Sequence, residues 1–446
     1  MSRAKVSTVR CKRIYSIGLL IYPFSILFCP PLNFGLFYAR IDEILVLFFL
    51  PIVFSDLKNR LNYTNKSFSF KLMKPYAILF LLFCWGILWG SSFDNLSTSY
   101  VRQILRPLYF ILIAYSVRSI LMRTKIDNSL VLLSILTSLC LAGLLGYYAM
   151  YAPGFSLKLI QLYTPDIEYN KYFQYTFDMS VRAMSVFYGY DQASVSYAFG
   201  CILALALTMN MKNDFKYKIV VIVSIFILFG SIISSARVGF VSALSGGLAL
   251  LLLRSSKSLN SKLLPLFIVI CLIVSLSHLD TIFPNSKTFT RFSEVLKIFS
   301  FEGTTSFFDR SEGMSGVIET QILYKTYPNG IDMVFGFGDD TNFVSDVAYV
   351  TIFIKYGFAG LIVVFYVFFI WISSGIRMTF YSLRNKIPLE RRMALFILPG
   401  MAILFLIAAM KGPLYFLSLK TGELVSVLLG LALYEHQSIF NREIEK

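Results

Sequence analysis

Long apolar runs broken by short charged stretches set the pattern of this chain. A bilayer core takes roughly 20 apolar residues per helical crossing. Twelve runs approach that length: 14–31, 36–55, 75–91, 104–120, 129–151, 186–209, 217–235, 238–254, 262–279, 347–374, 393–411 and 417–435. The run at 36–55 is the weakest, because Arg40, Asp42 and Glu43 stand near its start. Between the ninth and tenth runs the pattern changes: residues 278–346 mix charges, aromatics and glycines with no run of spanning length. Within them, Phe289, Phe292, Val295, Leu296 and Phe299 recur at helical spacing, as do Val317, Ile318, Ile322 and Leu323. Both stretches, 287–300 and 314–327, predict short amphipathic helices capping the bundle at the membrane surface. Pro328-Asn329-Gly330 then signals a turn. A second polar segment, 152–185, is rich in tyrosine. The expectation is an all-α polytopic membrane protein: one integral membrane domain over 1–446, a large loop at 280–345 and a smaller one at 152–185. No repeat of fixed period is visible.

Charge orients this arrangement. If the amino terminus lies inside, the inner segments are 1–13, 56–74, 117–128, 210–218, 254–262, 375–392 and 435–446. They carry 26 of the 41 Lys and Arg but only 7 of the 25 acids. That is the positive-inside distribution, and it predicts both termini in the cytoplasm and both polar loops outside. The net charge of +16 therefore reads as orientation and attraction to anionic headgroups. The basic residues form no single stripe, which argues against a nucleic-acid partner. With 57% hydrophobic and only 15% charged residues, a soluble domain would be under-solvated.

Several chemistries are disfavoured. Cysteines 29, 84, 140, 201 and 271 fall in or beside apolar runs, Cys11 lies on the inner side, and no cysteine lies in either polar loop. That predicts no disulfide framework there and no metal-ligand spacing. With only His278 and His436, a His-based zinc site or a Ser-His-Asp triad is disfavoured. The basic and apolar start of the chain looks like a signal sequence, but multiple spans follow and no small-residue cleavage site is evident, so an uncleaved first helix is expected.

Four outer arginines stand against the charge rule: Arg182 in SVRAMSVFYGYDQAS, Arg237 in the very short connection SIISSARVGF, and Arg291 and Arg310 in the large loop. Guanidinium is permanently charged and grips phosphate in two-pronged geometry. Several on one surface would suit a pyrophosphate leaving group. The plain alternative is a snorkelling or ion-paired residue: Arg291 has Glu294 nearby, and Arg310 has Asp309 and Glu312. Asp191, Asp339, Asp340 and Asp346 are the candidate general bases. Asp346 is best placed, where the large loop re-enters the membrane, whereas GFGDD at 336–340 reads as a turn with a solvated acidic tip. Lys355 is either intramembrane or an interfacial anchor, depending on where its span starts. Asp42 and Glu43 could hold a cation or deprotonate an acceptor. Alternatively they set negative charge against a helix start beside Arg40.

Three segments carry a family likeness: VRAMSVFYGYDQASVSYAFG at 181–200, SSARVGFVSALSGGLALLLL at 234–253, and, after the large loop, FGFGDDTNFVSDVAYVTIFIKYGFAGLIVVF at 335–365. Over about 180–370 the chain resembles the O-antigen polymerase (Wzy-type) family, which is related in fold to the O-antigen ligases. The resemblance implies a metal-independent membrane glycosyltransferase of the bacterial inner membrane, with no cofactor. It would transfer a growing glycan from undecaprenyl pyrophosphate to the next lipid-linked repeat unit on the periplasmic face. A chain-length regulator protein is an implied partner. The family's outer-loop arginines map onto Arg182, Arg237 and Arg291, and an inverting transfer is implied. Ligases of this fold usually show a His near the end of the large loop. Here that stretch reads TNFVSDVAYV, which favours the polymerase. The Arg-to-Gly spacing of some polymerase loops is met loosely, by Arg182 before Gly189 and Arg291 before Gly303.

The expected assignment is therefore Arg182, Arg237, Arg291 and Arg310 on the pyrophosphate and glycan, with Arg237 and Asp346 catalytic. Two other functions compete: a lipid-linked oligosaccharide flippase or other transporter, which predicts matched halves, and an O-antigen ligase.

Overall fold

The computed structural model describes residues 2–33, 38–60, 66–89, 98–163, 186–187, 189–210, 215–253, 330–338, 347–410 and 412–444. Helices occupy nearly all of it: α1 (Ser2–Phe28), α2 (Ile41–Arg60), α3 (Lys66–Trp89), α4 (Thr98–Thr124), α5 (Asn128–Tyr151), α6 (Pro153–Tyr163), α7 (Tyr190–Asn210), α8 (Phe215–Ser235), α9 (Arg237–Leu253), α10 (Ile331–Phe335), α11 (Ala348–Arg384), α12 (Met393–Ala408) and α13 (Thr421–Ile444). A helix lies over every predicted apolar run except the ninth, 262–279, which falls outside the described residues. Five stretches are long and apolar enough to cross a membrane: Lys71–Trp89, Ile104–Thr124, Asn128–Ala149, Tyr190–Met209 and Ala348–Arg384. The protein is an α-helical membrane protein.

Two features depart from the all-α expectation of simple crossings. Pro31–Asn33 and Tyr38–Arg40 pair as a small antiparallel hairpin ahead of α2. The polar segment 152–185 begins with α6, whose Tyr163 reaches back to the end of α1. The predicted amphipathic helices at 287–300 and 314–327 lie outside the described residues. The turn expected at 328–330 is described only at Gly330, where φ is +60°.

Helix packing here relies on close approach, since lipid tails are as apolar as leucine and burial alone gives little drive. Gly246 of α9 and Gly400 of α12 each face the other's backbone: a Cβ on Gly246 would stand 2.6 Å from the Gly400 carbonyl oxygen, and one on Gly400 2.8 Å from that of Gly246. Gly430 lets α13 reach α4 in the same way, 2.6 Å from the Ala114 carbonyl oxygen. The aromatic core gathers where α3, α4, α11 and α12 meet, with Tyr76, Phe110, Phe368, Trp371, Phe405 and Phe416 fully buried. Tyr76 and Trp371 stack edge-on at 5.6 Å, as do Trp371 and Phe416 at 5.3 Å.

α11 is the longest helix, 37 residues, or about 55 Å if straight, against a bilayer core of roughly 30 Å. It breaks at Gly357, whose φ of +61° is left-handed. The break is filled by α10 and the turn after it: Phe337 N–H donates to the Ile354 carbonyl at 2.9 Å and Gly338 N–H to that of Lys355 at 2.9 Å. Interrupted helices need such partners, because an orphaned carbonyl in a dry bundle costs several kcal/mol. Trp89 of α3 closes the joint, donating from Nε1 to the Gly336 carbonyl at 3.0 Å. The stretch 331–338 is thus docked against the bundle, and Gly336 and Gly338, with φ of +74° and +77°, belong to a packed joint. The acidic tip expected for GFGDD, Asp339 and Asp340, lies outside the described residues.

Candidate functional site

Polar contacts concentrate at the two ends of the bundle. At one end, the Glu435 carboxylate accepts from the N–H groups of Ala394 and Leu395 and from Asn128 Nδ2, capping the start of α12. Arg118 donates to Gln437 Oε1 nearby, from Nη2 at 2.7 Å. Glu435 thus satisfies a helix start, and Arg118 with Gln437 ties α4 to α13.

The hairpin end differs. Arg40, Asp42, Lys420 and Glu423 are all buried there, three of them with no exposed surface. Arg40 closes the hairpin and Asp42 opens α2, so the two face each other across a helix start. Nε of Arg40 donates to Asp42 Oδ1 at 2.9 Å, and Nη2 reaches both Asp42 Oδ2 and Glu423 Oε2. The Arg40 N–H donates to Glu43 Oε2 at 3.1 Å. Of the readings open for the acidic pair, the helix-start pairing with Arg40 is what the structure displays. Glu423, in the first turn of α13, joins the pair from 383 positions along the chain from Arg40. Glu423 Oε1, buried, makes no hydrogen bond among the described residues.

Lys420 lies immediately before α13 with φ +66°, a backbone state costing on the order of 1 kcal/mol for a residue with a Cβ. Its Nζ donates to the Leu27 carbonyl at 2.9 Å and to the Val186 carbonyl, and sits 4.1 Å from the ring centre of Tyr163. The Tyr163 hydroxyl donates to the Phe28 carbonyl at 2.8 Å. Gln192 of α7 holds the same connection, its Nε2 donating to the Leu419 carbonyl at 2.6 Å and to Ser418 Oγ at 3.1 Å. Two residues on, Ser194 Oγ donates to the carbonyl of Ala236 at 2.5 Å.

The sequence-predicted residues relate to this end as follows. Arg237 is the first residue of α9 and directly follows Ala236, so its backbone is at the hairpin end; its side chain is outside the described residues. Arg182, Arg291, Arg310 and Asp346 lie outside the described residues. Their flanks are described in two cases. Val186 follows Arg182 by four positions and meets Lys420. Val347 follows Asp346, and the next N–H, of Ala348, donates to the carbonyls of Ala409 and Gly412 at 3.1 Å each. Asp191 stands in the first turn of α7, beside Gln192. Lys355 is half-buried inside α11, two residues before the break.

Lys420 and Glu423 were not singled out in the sequence. A signal existed: they are ionisable residues within the last predicted run, 417–435, where a charge is costly and calls for a partner. Among the described residues no group of three or more His, Cys, Asp or Glu side chains could hold a metal ion. In comparisons with known proteins, no protein-family model and no curated protein matches the chain.

Proposed function

We propose that the protein is a polysaccharide polymerase of the O-antigen type, a twelve-span enzyme of the bacterial inner membrane with both termini in the cytoplasm. It transfers a growing glycan from undecaprenyl pyrophosphate to a lipid-linked repeat unit. In this reading the hairpin end is the periplasmic end, since the positive-inside count assigns the loops at 152–185 and 280–345 to that side. Arg182, Arg237, Arg291 and Arg310 grip the pyrophosphate and glycan, and the arginines stabilise the charge that develops as the donor leaves. Asp346 accepts the acceptor hydroxyl's proton.

One observation carries the reading. The backbone of Arg237 and the flanks of Arg182 and Asp346 meet at one end of the bundle, through Ala236 to Ser194, Val186 to Lys420, and Ala348 to Ala409 and Gly412. Chain flanks far apart in sequence are thus held at one end of the bundle, as a shared site for a lipid-borne substrate requires. The break in α11 at Gly357 favours a second reading, a lipid-linked oligosaccharide flippase, because interrupted helices recur in transporters.

Deleting the gene and analysing lipid-linked glycans separates the two. The polymerase reading expects single repeat units to accumulate on their carrier at the outer face. Units trapped at the inner face would establish the flippase, and unchanged polymer length would sink both. Arg237→Ala, at normal membrane abundance, should abolish long polymer. Full synthesis by that variant would remove Arg237 from the site.

A further inference from the structure

The last helical turn of α1 leaves carbonyls with no partner inside the helix. Two of them, on Leu27 and Phe28, are taken up by side chains from distant parts of the chain: Lys420 Nζ on the first and the Tyr163 hydroxyl on the second. A cation at a helix carboxyl terminus also meets the negative end of its dipole. The same ammonium donates to the Val186 carbonyl and rests over the Tyr163 ring. Tyr163 and Val186 are the described residues on either side of 164–185. A fully buried ammonium is retained only where its donors are used and opposite charge is close. Here two carbonyls accept its hydrogen bonds, an aromatic face takes the positive field, and Asp42 and Glu423 attract it against the repulsion of Arg40.

We infer that Lys420 is a positioning residue whose single ammonium holds three chain flanks, at Leu27, Tyr163 and Val186, at one point beside the Arg40–Glu423 pair. Three donors on a compact head suit three separate partners converging on one point, whereas a planar guanidinium suits a two-pronged partner. The left-handed backbone at Lys420 fits this role, since strain of that kind persists where surrounding contacts over-determine it. Any effect of Lys420 on glycan transfer rests on the polymerase reading; its hold on the flanks does not.

Amide hydrogen exchange on the full-length protein in lipid nanodiscs tests it, comparing wild type with Lys420→Met. The inference expects exchange about tenfold faster in peptides covering 24–30 and 186–192, with no change at 392–400 at the opposite end. Wild-type rates at both flanks would overturn it. Uniform acceleration over the whole bundle would too, because that marks general destabilisation. If Lys420→Met does not accumulate, Tyr163→Leu removes the aromatic face and the Phe28 bond. It should speed the same two peptides about threefold, and protection equal to wild type at both would be the overturning result. Polymer made by the same membranes is read in parallel. Wild-type membranes that form no polymer would defeat the polymerase reading while leaving the exchange result to decide on Lys420.

Discussion

Arg40 and Glu423 are 383 positions apart in the chain and meet through one hydrogen bond, Nη2 to Oε2 at 2.5 Å, with neither side chain open to solvent. Removing one member of such a pair strands the other's charge, at about 3–5 kcal/mol. Arg40→Met, which strands both Asp42 and Glu423, should therefore lower the thermal unfolding midpoint in detergent more than Glu423→Gln, which leaves Arg40 with Asp42. The double variant Arg40→Met/Glu423→Met should be less destabilised than the sum of Arg40→Met and Glu423→Met. Additive losses would show that the two residues do not act as a pair.

Gly430 and Gly154 should respond oppositely to alanine. At Gly430 a new methyl meets the Ala114 carbonyl oxygen at 2.6 Å and Val117 Cβ at 2.7 Å, so α13 must move off α4; overpacking of this kind costs about 1–3 kcal/mol. At Gly154, in α6, nothing lies within 4 Å, and alanine should be neutral or stabilise by up to about 1 kcal/mol. Unfolding midpoints of the two variants, measured side by side, check the contrast.

Gly336 and Gly357 form a mutual joint. Each has positive φ, and a Cβ on either would fall 2.3–2.6 Å from backbone atoms of the other's segment. Alanine at either position should open the seam between 331–338 and α11, at several kcal/mol from strain and clash together. Gly330→Ala carries the strain of its φ of +60° but meets nothing within 4 Å, so it should cost less. Folded yield after purification ranks the three variants; equal yields would contradict the joint.

Arg237→Lys keeps the charge and loses the planar fork. If Arg237 grips a pyrophosphate, polymer formation should fall at least about tenfold while membrane abundance stays normal. If it only snorkels to the membrane surface, lysine should serve equally well.

Much of the helical layout was legible because each apolar run is itself the cause of a helix in lipid. The short hairpin was not: strands of three residues, Pro31–Asn33 and Tyr38–Arg40, carry no period to detect. The break at Gly357 hid within a long run, since a glycine scarcely lowers an average over 347–374, and only the surplus length hinted at it. Lys420 and Glu423 were masked in the same way by their apolar neighbours. The pairing of Asp42 with Arg40 could be read locally, but the third member came from a helix that no local pattern connects to it. Arg237 was picked for its isolation in a tight connection, and the structure brings its backbone to the charged end.

The buried charges also bear on how the chain is made. Arg40 and Asp42 emerge from the ribosome together, and so do Lys420 and Glu423, so each buried base enters the membrane with an acid two or three positions away. Neither Arg40 nor Lys420 therefore enters lipid without an acid close by in sequence during the long interval of synthesis between them. Glu423 of α13 then joins the Arg40–Asp42 pair, Arg40 lying 383 positions before it, so the bundle's hairpin end is sealed only once α13 has been synthesised.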